Sequence, residues 1–468
     1  MQKTKIICTL GPSCQDYKTI CKMIKAGMNV ARLNMSHGDM EYHQRLIQNV
    51  KQARADLNCP CAIMVDTRGP EVRISTFKEG KTILKKGQTF VFTRRDVEGD
   101  NTQVGLRFPK LVDIAKVGKH IYANNGLLKL KIIAVNETDI TCRVVVGGEL
   151  SNNKSIAIPH VPLEVPYIND VDREHIKFAA ENHVEAIACS FVNCKEDILE
   201  VRQLLKEFGG TQEVIAKIES LEGIKLLDEI IDVCDGIMVA RGDMGTEIPL
   251  EKIPFVQKEM IKKTVRKGKY VIVATEMLES MIEKRRPTRA ETTDVANAIY
   301  DGTSATMLSG ESASGKYPVE AVKTMSAIAK SSEQSIRYDK RFTKGEVISM
   351  RDAISYSACS TSFALKAKAI LCFSHMGNSA KAISCYRPDC KIVVLTTEED
   401  VYQKLSFCWG AIPVVCPPIP TTDDMIKKAN DVAKELKVAK PGDTIIITSG
   451  IPVDKMGKTN LIKIHIVE

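Results

Sequence analysis

The chain has no apolar run near the ~20 residues that a membrane-spanning helix requires, so no span is expected. A cysteine pattern is missing too. Of 15 cysteines none forms a C-x-x-C, the closest pair is Cys59-Pro60-Cys61, and the others are scattered through apolar stretches. That scatter argues against a thiolate metal site and reads as buried, reduced thiols in a cytosolic protein. Charge of one sign is scarce: 66 basic against 58 acidic residues leave +8, a slight bias toward anionic small molecules that is too diffuse for nucleic acid. The densest basic run, Lys262 to Lys269, reads as a solvated helix end, favourably placed on the helix dipole. No P-loop is present, because neither G-K-T triplet, at Gly80 or Gly457, has a glycine five residues earlier. A strand pattern from Lys5 to Leu10 leaves no room before it for a signal peptide, so a cytoplasmic location is the expectation.

What is present is an alternation. With 44% hydrophobic residues the chain can bury a sizeable core, and 468 residues at roughly 100–200 per domain suggest about three domains. Apolar strand candidates at Thr4–Thr9, Asn29–Leu33, Ala62–Asp66, Ala186–Cys189, Val214–Ile218, Gly236–Ala240, Val271–Ala274 and Ala305–Leu308 are separated by helical segments. Eight such strands predict an α/β chain built on a (β/α)8 TIM barrel. One gap is too long. Roughly 120 residues separate Asp66 from Ala186 where a βα unit takes about 30, so some ~90 are inserted after the third strand.

The insert carries short β-rich runs (Thr89–Thr93, Ile121–Ala123, Leu130–Val135, Ile140–Val146) divided by turn signals at Asp100-Asn101, Asn124-Asn125-Gly126 and Gly147-Gly148. A small β-domain covering the barrel mouth as a lid is expected. Beyond an amphipathic helix from Pro318 to about Ser332, the charged stretch Arg337 to Lys344 reads as a linker. Strands at Ala369–Phe373, Lys391–Thr396, Ile412–Val415, Thr444–Thr448 and Leu461–Ile466 then predict a separate C-terminal α/β domain. The expected division is 1–70 for the first part of the barrel, 71–166 for the lid, 167–336 for the second part and 337–468 for the C-terminal domain.

The chemistry concentrates at strand exits, where α/β proteins place it. One strand ends in Lys217-Ile218-Glu219, so period-2 alternation turns Lys217 and Glu219 the same way; the next ends in Ala240-Arg241-Gly242-Asp243. Two carboxylates without thiols or imidazoles suit a hard divalent cation such as Mg²⁺, with water and substrate oxygens completing its shell. Gly242 and Gly245 keep the backbone thin, so that main-chain N–H groups can meet an anion at the next helix. A bland alternative is a strand-end salt bridge between Lys217 and Glu219. The second strand exits through Asn29-Val30-Ala31-Arg32-Leu33-Asn34-Met35-Ser36-His37-Gly38. Its Arg32 is suited to a phosphate dianion, and the oxygens of Asn34, Ser36, Asp66 and Thr67 can enclose a cation with few waters. Each of these residues also has a plain reading as a strand-end hydrogen bond. Ser309, after the last barrel strand, fits a water-mediated proton relay or equally a strand-end cap.

These strings resemble pyruvate kinase. The K-I-E and A-R-G-D segments occur unchanged, and N-V-A-R-L-N-M-S-H-G matches almost letter for letter. Asp66-Thr67-Arg68-Gly69-Pro70-Glu71-Val72-Arg73 is similar to the family's hinge into its lid, with Arg68 in place of the usual lysine. The resemblance implies phosphoryl transfer from phosphoenolpyruvate to ADP, giving pyruvate and ATP at the last step of glycolysis. It also implies Mg²⁺ or Mn²⁺, K⁺ and a homotetramer, with no membrane or nucleic-acid partner.

Carried over residue by residue, the resemblance makes Arg32, Lys217, Thr275 and Ser309 catalytic. It puts phosphoenolpyruvate on Arg32, Lys217, Ala240, Gly242, Asp243 and Thr275, and the nucleotide on Asn34, His37, Arg73 and Lys154. Mg²⁺ falls to Glu219 and Asp243, and K⁺ to Asn34, Ser36, Asp66 and Thr67. Ser374, Gly377, Asn378 and Ser379, in a loop opening a helix, match an effector loop for a phosphorylated metabolite, without that loop's usual lysine or arginine.

Several positions depart from the family pattern. Glu276 stands for a glutamine, Asn124-Asn125 for two aspartates, and Ser155, Ala157 and His160 for Gly, Asn and Gly. Two other readings compete: a different barrel enzyme working through a Mg²⁺-bound enolate, and a non-catalytic sensor of phosphoenolpyruvate or effector. The lid and C-terminal domain argue against the first, and intact Lys217, Glu219, Asp243 and Thr275 argue against the second.

Overall fold

A computed structural model of the chain describes residues 2–70, 72–124, 126–158, 166–341, 349–452 and 459–468. Glu71, Asn125, His160 and the Gly457-Lys458 pair lie outside the described residues. Eight parallel strands close a barrel: β1 (Lys5–Thr9), β2 (Val30–Asn34), β3 (Ala62–Asp66), β4 (Ala186–Cys189), β5 (Glu213–Ile218), β6 (Gly236–Ala240), β7 (Tyr270–Ala274) and β8 (Ala305–Leu308). β1 pairs with both β2 and β8, which closes the ring.

Alternation along each strand sorts the side chains. On β5, Val214, Ala216 and Ile218 join the layer between strands and helices, and Ile215 joins the barrel interior with Met64, Ala188, Met238 and Ile272. The same period puts Glu213 at the floor of the interior and Lys217 at its mouth. Pairing of Asn34 opposite Asp66 sets the exits of β2 and β3 side by side.

Between β3 and β4 the chain builds a six-stranded sheet and a separate two-stranded one, Lys81–Leu84 with Gly148–Ser151. The larger sheet is centred on antiparallel Leu128–Val135 and Asp139–Val146 and closes on its own core of Phe90, Phe92, Leu130, Ile132 and Ile140. The C-terminal part holds β9 (Ala369–Phe373), β10 (Lys391–Thr396), β11 (Ala411–Val415), β12 (Thr444–Ser449) and β13 (Leu461–Ile466), in sheet order β11-β10-β9-β12-β13. Only β12 and β13 in this sheet run antiparallel.

This C-terminal part docks on the barrel floor. Phe407 enters the interior cluster and stacks on Tyr270 with ring centroids 5.3 Å apart. The Tyr270 hydroxyl donates to Glu213, which also pairs with Lys381. The Lys5 ammonium donates to the Ala411 carbonyl at 2.8 Å, and the Cys61 N–H to Gln403 at 3.0 Å.

The expected linker from Arg337 is corrected in its first residues: Tyr338–Arg341 is a short helix, and Tyr338 is buried against Trp409 at 5.7 Å. An aromatic ring among charged neighbours anchors the segment to apolar surface. Among the described residues no helix is long and apolar enough to cross a membrane.

Candidate active site

Asp66 is the hub. Nearly sealed at 1% exposure, it accepts from Arg32 Nε on one oxygen at 2.6 Å, and on the other from Lys217 Nζ at 3.1 Å and the Ser190 hydroxyl at 3.3 Å. Burial would push its carboxyl up, but Arg32 and then Lys217 outweigh that and hold it below the usual value. Arg32 also donates through Nη1 to the Thr9 hydroxyl at 2.8 Å, and its five N–H donors leave others for a phosphate.

Lys217 Nζ lies 3.1 Å from Glu219 Oε1 and donates to the Ser190 hydroxyl at 2.6 Å. Burial alone would lower the Lys217 pKa. Asp66 and Glu219 outweigh that and raise it, which favours the charged ammonium. Glu219 is the opposite case: burial drives its carboxyl upward, Lys217 pulls it back, and the Asp243 charge raises it further, to about 7. Its Oε2 accepts the Phe191 N–H at 2.6 Å, while Oε1 is buried with no hydrogen bond aligned on it. A buried carboxylate whose Oε1 meets only the Lys217 ammonium, and which the Asp243 charge pushes upward, is an oxygen donor that a hard cation can share. Among the described residues no cluster of three or more His, Cys, Asp or Glu offers a fuller ligand set.

Ser190 and Phe191 were not singled out from the sequence. They follow β4 as Lys217-Ile218-Glu219 spans the end of β5, so inspecting every strand exit would have found them. Phe191 takes a left-handed φ of 55°, which aims its N–H at Glu219.

The exits of β6 and β7 interlock. Thr275 has φ 68° and Glu276 φ 54°, and a β-branched residue in that region is a strained outlier. Arg241 holds it there, donating to the Thr275 carbonyl at 2.6 Å, to the Ala274 carbonyl at 3.3 Å and to Asp294 at 2.8 Å. The Gly242 N–H donates to the Thr275 hydroxyl at 2.9 Å. With Thr275 turned back by its φ, its hydroxyl takes this amide, which does not stand open to an anion until Thr275 moves. Nor is Gly242 spatially required, since an added Cβ meets only ordinary contacts at 3.7 Å, whereas at Gly245 it would crowd Leu250 at 3.1 Å.

At Ser309 the hydroxyl oxygen is buried without a hydrogen bond, and the N–H donates to Glu311 at 2.7 Å. Asn34 Oδ1 accepts the Ser36 N–H at 3.2 Å, and the Thr67 hydroxyl donates to the Ala188 carbonyl at 3.3 Å. The His37 carbonyl accepts from His43 Nε2 at 2.7 Å.

Arg73 and Lys154 meet at the base of the lid, where Arg73 donates to the Asn153 carbonyl at 2.9 Å and the Ile74 N–H to the Lys154 carbonyl at 3.0 Å. At the lid tip Asn124 has φ 51° and Gly126 φ 81°, and a Cβ at Gly126 would lie 3.3 Å from Thr246 on the helix Arg241–Glu247. Asn124 thus acts as a turn residue, its Nδ2 donating to the Glu149 carbonyl at 3.2 Å.

Far from the mouth, Gly377 (φ 73°) caps the helix Asn378–Cys385. The Ser374 N–H is committed to the Leu395 carbonyl at 3.0 Å, and buried Ser379 shares a short hydroxyl contact with Thr459. His375 lies 3.3 Å from Glu398, so the loop adds a carboxylate where an anion site needs a cation.

A closed parallel barrel whose mouth gathers a charged lysine, an arginine and several carboxylates, under an inserted lid, defines an enzyme that works by charge neutralisation on an anionic substrate. The pyruvate kinase barrel-domain profile matches residues 1–322, and the family's alpha/beta-domain profile matches residues 352–465. The chain is 44% identical to the pyruvate kinase of Clostridium perfringens, over 99% of this chain and 100% of that one, and 42% identical to that of Geobacillus stearothermophilus, over 100% and 80%. In structure it resembles a pyruvate kinase from Cryptosporidium parvum with a TM-score of 0.93 and 36% identity, covering 100% of this chain and 96% of that one. The chain belongs to the pyruvate kinase family. Its activity is that of a phosphotransferase, moving the phosphoryl group of phosphoenolpyruvate to ADP.

Proposed function

We propose that Lys217 is the central cation of the transfer, stabilising the enolate oxygen that develops as the phosphoryl group leaves, while Arg32 holds the phosphate. The observation that carries this is the Lys217 ammonium fixed at the mouth between Asp66 and Glu219, 3.1 Å from a carboxylate oxygen of each. Phosphoryl transfer calls for positioning and charge neutralisation more than covalent help. Glu219 and Asp243 would hold Mg²⁺ or Mn²⁺, and Asn34, Ser36, Asp66 and Thr67 would hold K⁺. Bound there, the ions would supply positive charge against the phosphate and its carboxylate neighbours.

The Ala240–Asp243 backbone and Thr275 would take the substrate carboxylate, the Thr275 hydroxyl yielding the Gly242 amide as it binds. Thr275, and Ser309 with its orphaned hydroxyl, would deliver the proton that turns enolate into pyruvate. Asn34, His37, Arg73 and Lys154 would face the nucleotide when the lid is down. Ser374, Gly377, Asn378 and Ser379 would bind a phosphorylated effector only weakly, through backbone donors and hydroxyls without a permanent cation. A cytoplasmic homotetramer completes the reading. Sedimentation tests the assembly, and calorimetry with sugar phosphates tests the effector loop.

The central claim is tested by Lys217→Met, which keeps the fold and lowers turnover by about 10²–10³, the usual loss on removing one preorganised stabiliser of developing charge. A coupled assay of pyruvate formation reads it. Turnover above about a tenth of wild type would make Lys217 dispensable.

A further inference from the structure

The chain leaves the barrel at Asp66 and turns outward toward the lid through Thr67-Arg68-Gly69-Pro70. This turn is packed against the catalytic cluster. Gly69 has φ 73°, and a Cβ there would lie 2.8 Å from that of Ser190, the residue whose hydroxyl meets Lys217. Two successive N–H groups of the turn, those of Arg68 and Gly69, converge on one oxygen, Asp172 Oδ1, at 2.9 Å and 3.2 Å. Asp172 is 2% exposed and stands in the first turn of the helix Asp170–Glu181, where the chain has come back from the lid. Its second oxygen accepts from Asn169 Nδ2 at 2.8 Å, and Asn169 Oδ1 caps the Asp172 N–H at 2.8 Å. His175 Nδ1 lies 3.4 Å from Oδ1.

A buried carboxylate is costly unless its hydrogen bonds are made, and here two of them come from the backbone of a turn that belongs to no sheet. We infer that Asp172 is a positioning residue for the reaction: it locks Arg68 and Gly69 to the barrel, so that the lid comes down in register with the mouth. This rests on the reading of the insert as a nucleotide-side lid. Up to Gly69 the turn moves with Ser190 and Lys217, and one carboxylate joins the lid's exit to the helix that receives its return. Asp172 touches no reacting group, so its loss should act on lid closure rather than on the phosphoenolpyruvate end of the site.

The test compares the full-length enzyme with Asp172→Ala and Asp172→Asn. Alanine leaves both N–H groups without an acceptor, whereas asparagine keeps an oxygen for them. The expected result for alanine is a KM for ADP raised about tenfold and a lower kcat, with the KM for phosphoenolpyruvate within about twofold of wild type. Asparagine should recover most of the loss. Hydrogen exchange at the Arg68 and Gly69 amides should quicken in the alanine variant while the β3 amides keep their wild-type rates. A wild-type KM for ADP in the alanine variant would overturn the inference. So would equal losses toward both substrates with faster exchange throughout β3, or an asparagine variant no better than alanine. Absence of phosphoryl transfer by the wild type would instead remove the kinase reading, and the exchange comparison would still report on the hinge.

Discussion

Lys217 owes its state to two neighbours. Burial works against an ammonium, and only the paired carboxylates of Asp66 and Glu219 keep it charged. Burial works against the Glu219 carboxylate as well, and with the Asp243 charge added it is pushed up to about 7. A divalent cation resolves that repulsion. Glu219→Gln and Asp243→Asn should therefore each raise the Mg²⁺ concentration for half-maximal rate, each having removed a charged ligand from a site with few. An unchanged value in both would place the metal elsewhere. A monovalent ion is expected as well. Asn34 and Asp66 lie opposite one another, and relatives that dispense with K⁺ typically carry a lysine where this chain has Glu71. Ile74, where K⁺-dependent relatives usually have threonine, and the guanidinium of Arg68 in place of the usual lysine speak the other way, but a charge of the wrong sign outweighs a lost hydroxyl. Turnover in a tetramethylammonium-balanced buffer should fall strongly without K⁺, and Glu71→Lys should recover part of it. Full turnover of the wild type without K⁺ would reject the site.

At the scale of elements, the loops after β6 and β7 work as one piece. A β-branched residue at φ 68° costs of the order of 1–3 kcal/mol. Four hydrogen bonds from the planar guanidinium of Arg241, one of them to the Met277 sulfur, hold it in place. Lysine keeps the charge but cannot reach Ala274, Thr275 and Asp294 together. Arg241→Lys is accordingly expected to lower kcat about tenfold and raise the KM for phosphoenolpyruvate, with an unchanged circular dichroism spectrum. Wild-type kinetics in that variant would mean the Thr275 loop holds its shape unaided. Arg241 therefore serves a loop, although in the sequence it reads as part of a binding string.

The whole molecule is held by its floor as much as by its mouth. Phe407 reaches from the C-terminal part into the barrel interior, and beside it Lys381 and Tyr270 converge on Glu213. Glu213 starts the strand that leads to Lys217, so the C-terminal part packs directly on the catalytic strand. Phe407→Ala leaves a cavity under the barrel and should destabilise the protein by about 3–5 kcal/mol, read as a lower denaturant midpoint. A midpoint shift below about 1 kcal/mol in free energy would show that the floor closes without the ring. The 15 cysteines are all free, and the most deeply buried, such as Cys8 and Cys359, have thiols pushed well up by burial. They pack as small apolar residues.

The sequence by itself determined the elements whose signal is local. Apolar runs marked Ala62–Asp66, Ala186–Cys189, Gly236–Ala240 and Ala305–Leu308 to the residue, because a strand buried on both faces needs no partner to be read. Period-2 alternation put Lys217 and Glu219 on one side, and the spacing from Asp66 to Ala186 announced the insert. Short lid strands such as Gln103–Gly105 and Ile156–Ala157 were not legible, since pairing rather than composition makes them strands. Tertiary structure alone decided the contacts between residues far apart in the chain. It brought Ser190 to Lys217, Asp172 to the hinge, Arg241 to Thr275 and Phe407 to the floor. A serine, an aspartate or a phenylalanine carries no local mark of such a partner, because what selects it is a position in space that exists only once the barrel has closed.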